Sequence, residues 1–207
     1  YNPAENIGHG VSKYLSTGGG DIGLTLSLVD DYLTRDGKPF VGAAREQAQK
    51  SYGQELQPTL RDPRLFQTAG VSGQPLRPGG VVPPFPPINQ SGFSRNTTGY
   101  PMYKYIEYDN IAATTDDGMS AAPVIYFRYA EVLLNYAEAM IELDGDLSLA
   151  TQSLTPLRSR VGMPAVNIEL EYNTQADYAF RNLSKALQAV RRERRVEMVA
   201  EGTRLDD

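Results

Sequence analysis

The side chains best suited to recognise a ligand are aromatic rings in and after a long Pro- and Gly-rich stretch. Residues 69–101 hold seven Pro and six Gly, a composition that predicts a loop without regular elements. An aromatic ring has an apolar face and, in tyrosine, a polar edge, which suits the C–H patch and hydroxyl rim of a sugar. The rings lie at Phe85, Phe93, Tyr100, Tyr103, Tyr105 and Tyr108. Our stacking candidates are Phe85, Phe93 and Tyr100, and our hydrogen-bond donors are Arg95 and Asn96. The same rings could equally cap a hydrophobic core.

Catalytic chemistry has few candidates in this sequence. The chain has 207 residues, no Cys and a single His, His9. Without Cys there is no disulfide, thiolate nucleophile or Cys-ligated metal, and one His leaves little for a Ser-His-Asp triad or a His-dependent metal site. Carboxylates are plentiful, but no two are set apart by their spacing as an acid and base pair. We therefore predict a protein that is not an enzyme and that uses no metal and no cofactor.

Two short motifs resemble ligand loops but lack the required context. Residues 18–23 satisfy G-x-G-x-x-G, yet no βαβ pattern surrounds them, so a Gly-rich surface loop is the better interpretation. Residues 144–148 begin like a calcium loop, but Leu149 stands where the loop needs Gly and Thr155 where it needs Glu. We interpret that segment as the turn of a helical hairpin.

The basic run Arg-Arg-Glu-Arg-Arg at residues 191–195 invites a nucleic-acid interpretation. Helical spacing argues against it, because Arg194 falls on an apolar stripe with Val190 and Met198, and Glu193 falls on a second one. Buried charges need partners, so we predict an internal ion-pair network. The candidate partners on an earlier helix are Glu131 and Glu138. The formal net charge of -5 also disfavours a nucleic-acid partner.

The composition changes sharply near Pro123, after which helical patterns dominate. Apolar residues spaced by three and four predict a helix over residues 124–143, with Tyr126 in its apolar stripe, and a second over residues 147–161. The short turn between them makes an antiparallel hairpin of about 38 residues, close to a tetratricopeptide unit. Pro156 predicts a kink or a late start in the second helix. A third helix is predicted over about residues 176–201.

Residues 1–123 are predicted to form a loop-rich subdomain with short helices and a possible small hairpin. The short helices are predicted over residues 24–33 and 43–52, and alternating residues at 103–108 predict a strand. Residues 124–207 are predicted to form the helical hairpin and the long C-terminal helix. Neither end of the sequence has the composition of a natural terminus, so we expect a fragment.

Several segments, in their order along the chain, resemble the C-terminal half of the SusD/RagB family. They are Arg-Asp-Pro-Arg-Leu at 61–65, Thr-Gly-Tyr at 98–100, Tyr-Lys-Tyr at 103–105, residues 127–139, residues 157–164, residues 190–197 and Glu-Gly-Thr-Arg at 201–204. One such segment alone would indicate little, but the ordered set covers most of residues 61–204.

The resemblance implies one mainly α domain, in which tetratricopeptide-like helix hairpins pack against an irregular, loop-rich subdomain, here truncated at both ends. It implies a lipoprotein on the outward-facing surface of the outer membrane, held by a lipid anchor upstream of this sequence. Such proteins capture oligosaccharides or other nutrients and deliver them, without catalysis, to a TonB-dependent barrel of the SusC type. Family ligand sites often use Trp, and this sequence has none, so stacking would fall to Tyr and Phe. No apolar run approaches 18 residues, so no membrane span is predicted.

A protein-docking module built from tetratricopeptide-type helix pairs is the alternative function. It predicts further helix pairs in tandem, whereas this sequence shows one clear unit. A glycoside hydrolase would turn over a bound sugar, and we predict that no turnover occurs.

Overall fold

The computed structural model describes residues 2–5, 7–17, 22–50, 56–83, 97–143, 145–175 and 181–202. Over these residues the chain is mainly helical, as predicted. The helical elements are a 3-10 helix (Pro3–Glu5), α1 (Val11–Thr17), α2 (Leu26–Asp31), α3 (Gly42–Lys50), α4 (Pro63–Thr68), α5 (Ile111–Thr115), α6 (Tyr129–Glu142), α7 (Leu147–Ser159), α8 (Ile168–Glu171) and α9 (Lys185–Glu197). The strands β1 (Pro75–Arg77) and β2 (Gly80–Val81) pair in antiparallel fashion. Within these ranges no helix has both the length and the apolar character needed to cross a bilayer.

The chain divides into two compact units, each of which draws on separate parts of the sequence. The first unit comprises Tyr1–Leu26, Ser51–Leu56 and Phe66–Val124, and the second comprises Ser27–Lys50, Gln57–Leu65 and Ile125–Asp207. The division into domains at residue 123 stays a prediction. α2 and α3 confirm the two short helices predicted over residues 24–33 and 43–52, with ends shifted by one or two residues.

In the second unit, α6, α7 and α9 enclose a hydrophobic core. Leu134 of α6 and Leu154 of α7 are completely buried there, and Val190 of α9 packs with them. Burying one such side chain contributes about 1.5–3 kcal/mol. The predicted helical hairpin therefore exists, and its stability comes from the apolar face that α6 and α7 share.

Capping side chains set where α7 and α9 begin. Asp146 accepts a hydrogen bond from an amide in the first turn of α7 at 2.7 Å, so α7 begins at Leu147 as predicted. Ser184 accepts one from the first turn of α9 at 3.3 Å. The third helix therefore begins at Lys185. The prediction that it begins near residue 176 is wrong over residues 181–184, which are not helical.

α6 begins five residues later than predicted. Arg128 is extended, with φ -150° and ψ 159°, and its guanidinium binds the carboxylates of Glu197 and Glu201 at 2.6 Å each. These ion pairs hold Arg128 outside the helix. Tyr126 therefore precedes α6 and is 92% exposed, so its predicted place in the apolar stripe is wrong.

Pro156 does not delay the second helix. α7 runs from Leu147 to Ser159 with Pro156 inside it, so the expectation of a late start is wrong. Proline removes one backbone donor, but Pro156 and Gln152, whose carbonyl loses that donor, are both exposed. Water can therefore satisfy the carbonyl, while burial of Leu157 on the other face favours the helix.

In the first unit, α1 packs against α5 and against the segment that precedes α5. The hydroxyl of Ser16 donates to the carbonyl of Thr114 at 3.0 Å, and the hydroxyl of Ser12 accepts from the amide of Glu107 at 2.9 Å. Leu15, which lies between Ser12 and Ser16 in the sequence of α1, is also buried. Side-chain hydroxyls thus satisfy backbone groups where the chain is irregular.

The Pro- and Gly-rich stretch contains a regular element. The β1–β2 hairpin spans residues 75–81, so the prediction that residues 69–101 lack regular structure is wrong. Gly79 in its turn has φ 75°, a backbone geometry that glycine adopts without strain. Proline is tolerated in so short a hairpin because its strands are edges.

The strand predicted at residues 103–108 is not formed. Lys104 and Tyr105 make a turn, and Tyr105 has φ 77°, which a strand does not allow. The carboxylate of Glu107 accepts a hydrogen bond from the amide of Ala121 at 3.0 Å. This contact between distant parts of the chain outweighs the local alternation of apolar and polar residues.

Candidate functional site

The first unit contains a cleft of about 480 Å³ next to β1. Its volume lies within the range of small-molecule sites. The described residues that line it are the rings Phe66, Tyr103 and Tyr108, the amides Gln67 and Gln74, and Ser72, Gly73 and Pro75. Three rings and two amides in one concave surface can bind an apolar face that carries hydroxyl groups.

Gln74 fixes the shape of the cleft. Its side-chain oxygen accepts a hydrogen bond from the amide of Val71 at 2.5 Å, and its side-chain nitrogen donates to the carbonyl of Phe66 at 2.8 Å. Gln74 is 7% exposed, so both bonds are shielded from water. The amide group is thereby committed to the protein, and Gln74 positions the cleft wall.

Tyr103 joins the two sides of the cleft. Its hydroxyl donates to the carbonyl of Pro75 at 2.7 Å, and its backbone amide donates to the carbonyl of Thr68 at 2.7 Å. Burial raises the pKa of Tyr103, and the neighbouring Tyr108 raises it further. The phenol therefore stays neutral at physiological pH and can donate its hydrogen bond to the carbonyl of Pro75.

Tyr108 presents the most accessible ring of the cleft. It is 46% exposed, and Gln67 and Ser72 beside it are exposed as well. An exposed ring with neighbouring amide and hydroxyl groups can stack on a sugar and bind its hydroxyls at the same time.

The ligand candidates chosen from the sequence are only partly described. Phe85, Phe93, Arg95 and Asn96 lie outside the described residues. Tyr100 is half-buried, and its carbonyl accepts a hydrogen bond from an amide at 2.8 Å. The described lining of the cleft does not include Tyr100, so its role in binding stays a prediction.

The sequence did not indicate which residues α4 and the loop before β1 (residues 72–74) bring to the cleft. Tyr103 and Tyr108 belong to the aromatic cluster noted above, but Phe66, Gln67 and Gln74 carried no signal that tied them to it. The composition of the Pro- and Gly-rich stretch indicated where a ligand loop could lie, without indicating which side chains face inward.

A separate, buried ion-pair network lies in the second unit around Glu193 of α9. One carboxylate oxygen of Glu193 accepts from Nη1 of Arg64, and the other accepts from Nε of Arg158, each at 2.6 Å. None of these three side chains is more than 4% exposed. Further members of the network are Asp62, Glu171, Arg192 and Glu197.

The predicted inward orientation of the charges on α9 is confirmed. Besides the pairs of Glu193, Nη2 of Arg194 donates to the carboxylate of Glu138 at 2.9 Å, which is one of the two partners predicted. Arg192 and Arg194 are at most 7% exposed. Their charges face carboxylates, so these two arginines of the basic run are paired within the protein.

The arginines control the ionisation of Glu193. Burial by itself raises a carboxyl pKa, but the positive charges of Arg64 and Arg158 outweigh it and lower the pKa of Glu193 to about 2. Burial also opposes ionisation of Glu197, and hydrogen bonds from Arg128 together with the charge of Arg64 lower its pKa.

Acid is expected to destabilise the protein through this network. The pKa of Glu193 is about 2 in the folded chain against an ordinary 4.5, so its contribution is complete above about pH 4.5 and is lost as the pH falls toward about 2. For Glu193 alone, the free energy of unfolding should fall by about 1 kcal/mol between about pH 7 and about pH 3.5. Urea unfolding at several pH values measures this, and stability that stays constant down to that pH would contradict it. Buried pairs are weakly screened, so about 1 M salt at neutral pH should not reproduce the loss.

The single histidine is held by backbone groups. Nε2 of His9 donates to the carbonyl of Ala122 at 2.8 Å, and Nδ1 accepts from the amide of Val11 at 3.2 Å. With both ring nitrogens engaged, His9 fixes the chain near α1. Among the described residues, no cluster of His, Asp and Glu could hold a metal ion.

Two comparisons with known proteins give matches. The sequence profile of the SusD family matches residues 1–207. Among solved structures, a SusD-like protein from Bacteroides fragilis is similar at 25% identity with a TM-score of 0.64, covering 96% of this chain and 38% of that one. The selenomethionine form of BT4246 is similar in fold at 21% identity with a TM-score of 0.60, covering 88% of this chain and 34% of that one. The chain thus spans little more than a third of each of these proteins. A comparison with curated proteins gives no match.

Proposed function

Because the chain belongs to the SusD family, we propose that it forms part of a surface protein that binds nutrient glycans reversibly and releases them chemically unchanged. Family membership suggests glycan binding within a TonB-dependent transport system. We further propose that the recipient is a transporter of the SusC type, and that a lipid anchor holds the full-length protein on the outward-facing surface of the outer membrane.

The observation that carries the proposal is the aromatic cleft of the first unit. Its accessible ring, Tyr108, and its exposed amide, Gln67, supply the two kinds of contact that a sugar offers. Glycoside hydrolysis ordinarily needs two carboxylates that flank the bond, and no described residue that lines the cleft is Asp or Glu. The cleft therefore suits binding without turnover. From the sequence, we also propose ligand contacts by Phe85, Phe93, Arg95, Asn96 and Tyr100.

Removing the accessible ring should weaken glycan binding. We expect Tyr108→Ala to raise the Kd for the bound glycan about tenfold, because a stacked ring contributes about 1 kcal/mol or more at a desolvated contact. The ligand is first identified by screening the purified natural protein against a panel of polysaccharides. Isothermal titration of wild type and variant then gives the ratio of Kd values.

The matched control is Tyr126→Ala. Tyr126 is 92% exposed and belongs to the second unit, so its removal should leave the Kd within about twofold. If Tyr126→Ala lost binding and Tyr108→Ala kept it, the site would not be this cleft. Chromatography of the recovered ligand should show no shortened products after prolonged incubation, and their appearance would identify a hydrolase.

A further inference from the structure

The cleft has no formal charge in its described lining. Each described residue that lines it is apolar, a glycine, or has a hydroxyl or amide side chain. The phenol of Tyr103 stays neutral because burial raises its pKa, and its proton is engaged by Pro75. No described lining residue could therefore pair with a ligand anion.

The polar groups of the cleft divide into two sets. The amide of Gln74 and the hydroxyl of Tyr103 are engaged with backbone carbonyls and amides, as described above. The side chains of Gln67, Ser72 and Tyr108 have no hydrogen-bond partner within the part of the chain that the structure describes, and all three are exposed. These three groups can donate to and accept from hydroxyls without disturbing the fold.

An anionic ligand would lose hydration in this cleft without a compensating cation from any described lining residue. Moving a carboxylate or sulfate out of water is costly unless it is paired, and neutral amides and hydroxyls repay only part of that cost. The chain also carries a formal net charge of -5, which repels polyanions at long range. A neutral saccharide meets neither penalty.

We propose that this cleft selects uncharged glycans over uronic-acid and sulfated glycans, with Gln67, Ser72 and Tyr108 as the groups that contact the ligand. The inference rests on the proposed function and adds the substrate class. It requires that Arg95, a ligand contact proposed from the sequence alone, does not pair with a charged group of the ligand. Selection arises because Gln74 and Tyr103, whose polar groups bond to the backbone, shape the cleft. The side chains of Gln67, Ser72 and Tyr108 can bind sugar hydroxyls, whereas no described lining residue can form an ion pair with an anion.

Affinity electrophoresis of the natural full-length protein tests the selection. Native gels contain either a neutral polysaccharide (starch, xylan, mannan or arabinan) or an anionic one (polygalacturonate, alginate or heparin). We expect a neutral polysaccharide to retard the wild type and to retard Tyr108→Ala much less, because the Kd of the variant is about tenfold higher. Retardation by an anionic polysaccharide alone, weakened in the same variant, would overturn the selection and leave the binding function standing. If Tyr108→Ala altered retardation by no polysaccharide, the proposed function would fail and this inference with it.

A charge-introducing variant gives an independent test in a protein that keeps its cleft. Gln67 is exposed, so Gln67→Lys should fold normally and place one cation beside the ligand. We expect it to shift the ratio of affinities toward polygalacturonate by about fivefold at low salt. Gln152→Lys on the exposed side of α7 changes the net charge equally and should leave the ratio unchanged. Equal shifts in both variants, or none in either, would show that the charge of the cleft does not set the selectivity.

Discussion

Replacing Glu193 by glutamine is expected to lower the free energy of unfolding by about 3–5 kcal/mol, because it leaves two buried cations without their shared anion. Each carboxylate oxygen of Glu193 accepts a hydrogen bond at 2.6 Å, one from Arg64 and the other from Arg158. Glutamine offers only one oxygen. Whichever way its amide turns, the NH₂ group faces a guanidinium that also donates, so one arginine loses its hydrogen bond to residue 193 and meets a repulsive neighbour there.

Glu169→Gln is the matched control, since it makes the same chemical change in an exposed pair. The carboxylate of Glu169 binds Lys185 at 2.5 Å, but the two side chains are 74% and 46% exposed. Solvent screens such a pair, so the variant should lie within about 0.5 kcal/mol of wild type. Urea unfolding of the natural protein, followed by circular dichroism, gives both values. Losses of similar size in the two variants would mean that Glu193 is not buried between Arg64 and Arg158.

The sequence predicts that the carboxylate of Glu193 points inward, but it does not identify the arginines that bind it. A period of 3.6 residues places Glu193 on the same side of α9 as Ala189 and Val196, which are buried. Arg64, however, lies 129 residues earlier in the chain and Arg158 lies 35 residues earlier. Periodicity describes one element at a time, so it indicates that a buried charge needs a partner without indicating which residue provides it.

The predicted helix boundaries were wrong where tertiary contacts override a local pattern. The apolar residues at 124–127 continue the period of α6, yet they lie outside the helix because Arg128 extends to reach Glu197 and Glu201. α7 shows the opposite case, in which a local signal sufficed: the side chain of Asp146 caps the helix, and the predicted start at Leu147 is confirmed. An N-cap is a local interaction, whereas an ion pair between distant elements is not visible in sequence spacing.

The cleft was the least predictable part of the molecule. The aromatic cluster pointed to the correct region, but the wall forms through contacts between irregular segments. The hydroxyl of Tyr103 reaches the carbonyl of Pro75, 28 residues away, and the amide of Gln74 reaches the carbonyl of Phe66, eight residues away. Loops have no period, so their side-chain directions follow from such contacts and from single backbone angles such as that of Tyr105.

Truncation of the hairpin core at Leu154 should also have a large effect, with the free energy of unfolding lower by about 3–5 kcal/mol in Leu154→Ala. Leu154 of α7 is completely buried and belongs to the same apolar cluster as Leu134 and Ala137 of α6. Alanine leaves a cavity that α7 can close only in part, because its start is fixed by the cap at Asp146.

The control on the same helix is Leu149→Ala. Leu149 has the same side chain but is 42% exposed, so it leaves no enclosed cavity and should cost about 1 kcal/mol or less. Urea unfolding of both variants compares the same chemical deletion on the two faces of α7. A loss in Leu149→Ala as large as that in Leu154→Ala would contradict the packing of α7 on α6. The two variants share the helix, the residue type and the deleted atoms. A larger loss of unfolding free energy in Leu154→Ala would therefore show that the shared face of α6 and α7 stabilises the second unit.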